Sequence, residues 1–180
     1  MHEDLLTGKR IRLRALEPGD IDRLYDWEND PSVWKVSNTF APFSRFQLEQ
    51  YVLQSQNDIF SNRQLRLMIV TRNAEGAEEG VGAVDLFDFD PVHGRAGVGI
   101  LIGEPFRMQG YASEALSLLV RYAFSTLWIH QLYCNISAGN TASLALFEKH
   151  GFVRCGIKRD WNRNGSGWED EYMLQRIGEP

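Results

Sequence analysis

Between residues 96 and 123 the chain changes its period twice. Residues 96–102 form an apolar, strand-like run that Glu104-Pro105 ends. Arg107-Met108-Gln109-Gly110-Tyr111-Ala112-Ser113 follows, and then Ala112, Ala115, Leu116, Leu119, Val120 and Ala123 recur as one face of a helix. A strand that runs through a glycine loop into a helix aims several unpaired N–H groups at one spot, with the positive end of the helix dipole behind them. Such a spot suits a diphosphate. Gly110 lets the backbone approach closely, Ala112 keeps the helix start uncrowded, and Arg107 adds a charge-assisted contact. A plain turn needing one glycine has the same short pattern, so the stretch does not decide function alone.

The rest of the chain supplies a context of mixed α and β. Ile11-Arg12-Leu13-Arg14 alternates as a strand. Asp20 is placed to cap a helix carrying Ile21, Leu24, Trp27 and Glu28, which stops near Pro31. Ser44 and Gln47 form a capping box for a second helix with Leu48, Tyr51 and Val52 on its buried side. Residues 34–43 are aromatic without periodicity. Strands are expected at 65–71, 81–87 and 96–102, then at 131–137 after the long helix. A helix over 140–150 ends at Gly151, and strands at 152–157 and 168–174 flank Asn164-Gly165. The expected fold class is α/β (α+β), a mostly antiparallel sheet of about seven strands with about four helices, in one domain spanning 1–180.

Composition narrows the function classes. A net charge of −5 gives no basic stripe for nucleic acid. The longest apolar runs fall short of a membrane span, and residues 1–7 are too polar and short for a secretory leader. Cys134 and Cys155 imply no disulfide framework, and His2, His93, His130 and His150 show no ligand spacing, so no metal is expected. A reducing cytoplasm is the simplest reading.

The Arg107-x-x-Gly110-x-Ala112 loop resembles the acetyl-coenzyme A signature of the GNAT family of N-acetyltransferases. Asn140-Thr141-Ala142-Ser143 followed by Leu146-Phe147-Glu148-Lys149-His150-Gly151-Phe152 resembles that family's second mark. The likeness runs from Ile11 to about Leu174. It implies acetyl-coenzyme A as co-substrate and a direct transfer of acetyl to an amine. It also implies site residues. The backbone of Ile100, Leu101 and Ile102 would take the pantetheine arm and supply an N–H to the oxyanion. Arg107, Met108, Gln109, Gly110, Tyr111, Ala112 and Ser113 would hold the pyrophosphate. Asn140 and Ser143 would contact the pantetheine and phosphate end, a role compatible with Asn140 as an N-cap. Phe147 would lie beside the pantetheine. Many relatives carry a tyrosine there as acid for the leaving thiolate, and phenylalanine cannot donate a proton.

An ammonium acceptor must lose a proton. Asp85 shares a strand face with Val81, Ala83 and Phe87, where desolvation would favour a base; the alternative is a rim residue that binds only water or a neighbouring N–H. Glu28 is the second candidate, against a solvated helix face. Trp34, Phe40 and Phe43 either line an acceptor pocket or pack as core. Asp160, Glu169, Asp170 and Glu171 would attract a cationic amine. The chain resembles the spermidine acetyltransferases, but residues 34–44 lack the acids those carry there. It resembles the ribosomal-protein acetyltransferases too, so the acceptor is a polyamine, a small amine or a protein N-terminus. A homodimer stays open. The rival reading is a non-catalytic acetyl-coenzyme A sensor or scaffold, favoured by Phe147.

Overall fold

The computed structural model describes residues 5–37, 39–72 and 74–178, with the backbone alone at 35 and 36. Its elements in chain order are β1 (Ile11–Ala15), α1 (Ile21–Glu28), α2 (Pro31–Ser37), α3 (Arg45–Gln54), α4 (Ile59–Asn62), β2 (Leu65–Arg72), β3 (Glu78–Asp90) and β4 (Arg95–Ile102). Then come α5 (Tyr111–Ser125), β5 (Gln131–Ser137), α6 (Thr141–Lys149), β6 (Val153–Asn164) and β7 (Gly167–Ile177). The strands form one sheet in the order β1-β2-β3-β4-β5-β7-β6. Every neighbouring pair is antiparallel except β4 and β5.

Strand alternation sorts side chains to two faces. On β2, Leu67 and Ile69 join the larger core cluster with Val84, Leu86, Val98 and the α5 stripe Ala115, Leu116, Leu119 and Ala123. Met68 and Val70 point the other way and pack with Leu24 of α1 and with Leu48 and Val52 of α3. Each fully buried leucine here contributes roughly 1.5–3 kcal/mol. The sheet is therefore fixed between α5 on one side and α1 with α3 on the other.

Among the described residues seven strands agree with the expected class, but six helices stand where about four were expected. The first helix ends at Glu28, just before Pro31 as expected, but Pro31 also opens a further helix. It is the first residue of α2, where a missing N–H costs nothing. The four-residue α4 is held by Asp58, whose carboxylate accepts from the N–H groups of Phe60 and Ser61. Asp20 stands at the N-cap of α1 without capping it. Its carboxylate instead takes both terminal nitrogens of Arg14, at 2.7 and 2.8 Å. The Ser44–Gln47 capping box forms as expected. β6 and β7 run well beyond the expected strands, because β6 is exposed along most of its length and so carries no apolar alternation. Among the described residues no helix is long and apolar enough to cross a membrane, and no cluster of His, Cys, Asp and Glu could hold a metal ion.

Candidate active site

The sheet is open at one place. β4 pairs with β5 only at Arg95↔Gln131, Ala96↔Leu132 and Gly97↔Tyr133, although β4 runs on to Ile102 and β5 to Ser137. The Phe87 ring lies over Gly97 so closely that a side chain there would collide with it, and it meets the Tyr133 ring edge-on at 6.1 Å. An aromatic pair thus stands where the strands part. Beyond it the Ile102 carbonyl turns away from β3, accepting from Arg107 Nε at 3.1 Å, while the Gly103 N–H goes to Val81 of β3. Strand alternation then sends the polar backbone groups of Ile100 and Ile102 into the gap, and those of Leu101 toward β3. Of the three residues that the family likeness singles out here, two face the opening with their backbone.

The loop after β4 ends at Gly110, the N-cap of α5, with φ +83. A side chain is strained in that conformation, which explains the glycine. Met108 also has a positive φ of 62 and is 99% exposed. Gln109 turns its amide back to the Pro105 carbonyl at 3.0 Å. Arg107 is tied to Ile102 and lies 4.0 Å from Asp30, so its guanidinium braces the end of β4. The N–H groups of Tyr111, Ala112 and Ser113 open the helix and have no acceptor one turn earlier. The Ser113 hydroxyl is engaged by His150 Nε2 at 2.8 Å, leaving its backbone as the part that can serve the loop. Burial lowers the His150 pKa, with Lys149 and Arg176 acting in the same sense.

One cation at this loop has no signature in the sequence. Arg10 donates through Nε and its N–H to Glu114 at 3.0 and 2.9 Å, and through Nη1 to the Gln109 carbonyl at 2.8 Å. Nothing local marks it among Lys9, Arg12 and Arg14. Only the pairing of β1 with β2 and its contact with α5 bring it there. From the second motif, Asn140 caps α6 by accepting from the Ser143 N–H at 3.2 Å. Phe147 is 3% exposed and meets Phe152 edge-on at 5.0 Å. Both phenylalanines belong to the core.

The other face holds the acids. Asp85 is buried as expected, but not among apolar groups alone. Register places it opposite Arg66 of β2, which donates through Nε to Oδ1 at 2.6 Å and through Nη2 to Oδ2 at 3.1 Å. Gln64 adds a bond at 3.3 Å. Arg66 Nη1 reaches Glu28 at 2.6 Å, so Glu28 is a buried partner rather than a solvated helix residue. Burial opposes charge on Arg66, yet the charge and hydrogen bonds of Asp85, with help from Glu28, outweigh it and leave the pKa raised. Two carboxylates against one guanidinium leave one excess negative charge. The Tyr51 ring lies 5.5 Å from this guanidinium, and burial pushes its hydroxyl up to about 12.

Beside the triad is a cavity of about 400 Å³. Glu28, Phe43, Phe46, Tyr51 and Arg66 line it, with the amides of Gln47, Gln50, Gln54 and Gln64. Phe43 meets both alternatives, lining the cavity while packing against the smaller core cluster. Phe40 meets neither: it is 90% exposed and outside the cavity, because an aromatic run does not say which of its members turns inward. Trp34 is half-buried and outside the lining as well, its indole donating to the Glu28 carbonyl at 2.6 Å and so holding the end of α1. Glu171 of β7 is buried opposite Ser137, the last residue of β5, where Lys158 at 2.8 Å and Asn162 at 3.2 Å engage it. Asp170 and Glu169 are likewise bonded, to Arg159 and to the Gly139 N–H. Glu171 and Asp170 are thus paired with Lys158 and Arg159, and the surplus negative charge of the group rests on Asp160 and Glu169.

Known proteins share this fold. The chain is 29% identical over 175 residues to the uncharacterized N-acetyltransferase p20 of Bacillus licheniformis, covering 97% of this chain and 96% of that one. It is 27% identical to the spermidine N(1)-acetyltransferase of Vibrio cholerae over 83% of this chain and 82% of that one. The crystal structure of spermidine N-acetyltransferase from Vibrio cholerae in complex with CoA and spermine superposes with a TM-score of 0.82 at 22% identity, over 94% and 96% of the two chains. Residues 10–153 match the acetyltransferase (GNAT) domain family, and with most of its length matched the chain belongs to the GNAT acetyltransferases.

Proposed function

We propose that this chain moves an acetyl group from acetyl-coenzyme A directly to a primary amine, with a preference for amines of low pKa such as a peptide α-amino group. The observation that carries the reading is the parting of β4 from β5 beside the Gly110 loop. The residues fit the coenzyme: the free edge of β4 at Ile100 and Ile102 suits the pantetheine amides, and the first N–H groups of α5 suit the diphosphate. When bound, the coenzyme supplies the activated thioester. The strand N–H groups in the gap then stabilise the oxyanion as the amine attacks.

The acid side decides the acceptor class. Both oxygens of Asp85 are held by Arg66, so neither carboxylate of the triad is an isolated base. An alkyl ammonium of pKa about 10.4 is free amine in roughly one molecule in 2,500 at pH 7, whereas an α-amino group of pKa about 8 is free in roughly one in ten. A site with a weak base therefore serves the second far better. The surplus carboxylate charge of the triad draws the ammonium in, and the proton leaves to water. Of the four lining glutamines, Gln47 holds the Ser44 N–H and Gln64 bonds Asp85, which leaves Gln50 and Gln54 to suit a peptide backbone, where a polyamine would require further carboxylates.

A thiol-release assay with acetyl-coenzyme A and a panel of short peptides, spermidine and simple alkylamines tests this. Peptides are expected to turn over best at pH 7, and alkylamines to gain most as pH rises. Preference for spermidine at pH 7 would remove the acceptor assignment. Coenzyme binding without turnover of any amine would favour the sensor reading that Phe147 suggests.

A further inference from the structure

We infer that Arg10 is a coenzyme-binding residue that grips the diphosphate with its outer guanidinium nitrogen, a role that rests on the coenzyme reading above. Three of its four donor nitrogens are already committed. The backbone N–H and Nε bind the two oxygens of Glu114, and Nη1 binds the Gln109 carbonyl. The guanidinium is thereby locked in one orientation across the loop, with its face 5.4 Å from the Tyr111 ring centre. Nη2 remains. It lies 3.0 Å from the point where a Cβ on Gly110 would stand, beside the N–H groups that open α5. A phosphate oxygen drawn to those groups meets Nη2 without any side chain having to move, and the Arg10 side chain is 52% exposed to receive it.

Glu114 explains why a cation is needed here. It lies in the first turn of α5, where its charge opposes an anion at the same helix end. Burial would raise its pKa, but the bonds from the N–H and guanidinium of Arg10 and from the Lys9 N–H hold it below the ordinary carboxylate range, so it is charged at neutral pH. Arg10 offsets that charge and presents its remaining donor to the ligand. Glu114 thus acts as the anchor that aims the arginine.

The test compares two donors. Coenzyme A carries the diphosphate, and S-acetylpantetheine lacks it. Arg10→Ala is expected to raise the calorimetric Kd for coenzyme A and the KM for acetyl-coenzyme A by about 10- to 100-fold, with kcat little changed. Activity with S-acetylpantetheine should stay within about twofold of wild type, since that donor never meets the guanidinium. Arg10→Lys keeps the charge without the fork and should recover part of the loss. If Arg10→Ala leaves Glu114 too exposed to fold well, Arg10→Ala with Glu114→Gln removes the stranded charge and should show the same split between donors. Equal losses with both donors, or an unchanged Kd for coenzyme A, would overturn the assignment. A wild-type chain that fails to bind coenzyme A would instead overturn the coenzyme reading itself.

Discussion

The two sides of the opening between β4 and β5 are built by different means. The coenzyme side is mostly backbone: a free strand edge, a glycine at φ +83 and a helix start capped by nothing but that glycine. The acid side is a side-chain network, in which Glu28, Arg66 and Asp85 come from α1, β2 and β3 and meet at 2.6 Å. Backbone sites tolerate substitution except where a Cβ intrudes. A buried ion network tolerates almost none, because removing one member leaves the others charged and unpaired. The difference predicts where the molecule breaks when each side is disturbed.

The acid side should break first and through stability. Arg66→Met leaves Asp85 and Glu28 buried without a partner, and such losses cost about 3–5 kcal/mol. Urea denaturation of Arg66→Met should show that drop. Arg66→Lys should fall between the two, since one ammonium cannot serve both Asp85 oxygens and Glu28. A change below 1 kcal/mol in Arg66→Met would mean that water already screens the triad and that the two sides do not differ in kind.

The coenzyme side should lose binding at modest cost to folding. In Gly110→Val a β-branched residue is forced to φ +83, costing about 1–2 kcal/mol, and its methyls crowd Arg10 and the diphosphate approach. Calorimetry should then detect no binding of coenzyme A by a variant that still unfolds cooperatively. Wild-type affinity in that variant would move the coenzyme away from this loop.

The same contrast governs what could be read from the residues in order. Gly110, the Asn140 cap, the Ser44–Gln47 box and the α5 stripe are local, with cause and effect within one turn, and all stand where the sequence puts them. The pairing of Asp85 with Arg66 spans 19 residues and that of Arg66 with Glu28 spans 38, so no window holds them together. Asp85 could be placed on a buried face from period alone, but its partner depends on the register of β2 with β3. Arg10 is hidden for the same reason, being joined to Glu114 across 104 residues. Phe40 shows the opposite error, where composition suggested a pocket and only the backbone path decides that the ring faces solvent.

Phe147, buried in the core on α6, belongs to neither side and gives a smaller effect. A thiolate whose conjugate acid has pKa about 8.5 leaves without full protonation, so Phe147→Tyr should change kcat by no more than about tenfold. The added hydroxyl enters a packed site against Phe152 and should cost about 1–3 kcal/mol in denaturation. A gain in activity of several hundredfold would show that the natural chain lacks an acid it needs, which would make the sensor reading the better one.

The smallest effect concerns pH at the coenzyme loop. Glu114 has a folded pKa below its usual 4.5, from the Arg10 and Lys9 hydrogen bonds that overcome its burial. A depressed folded value means that its contribution is present above the unfolded pKa and is lost as pH falls through the folded one. Wild type should therefore exceed Glu114→Gln in stability at pH 6, by about 1 kcal/mol for a partly exposed pair. That gap should close below the usual carboxylate range, where both chains carry a neutral side chain. Thermal unfolding of the two at pH 6 and pH 3 measures the gap. A constant gap would mean that Glu114 stabilises by packing under Gly8, which its carboxylate closely abuts, and the anchor would then be steric instead of ionic.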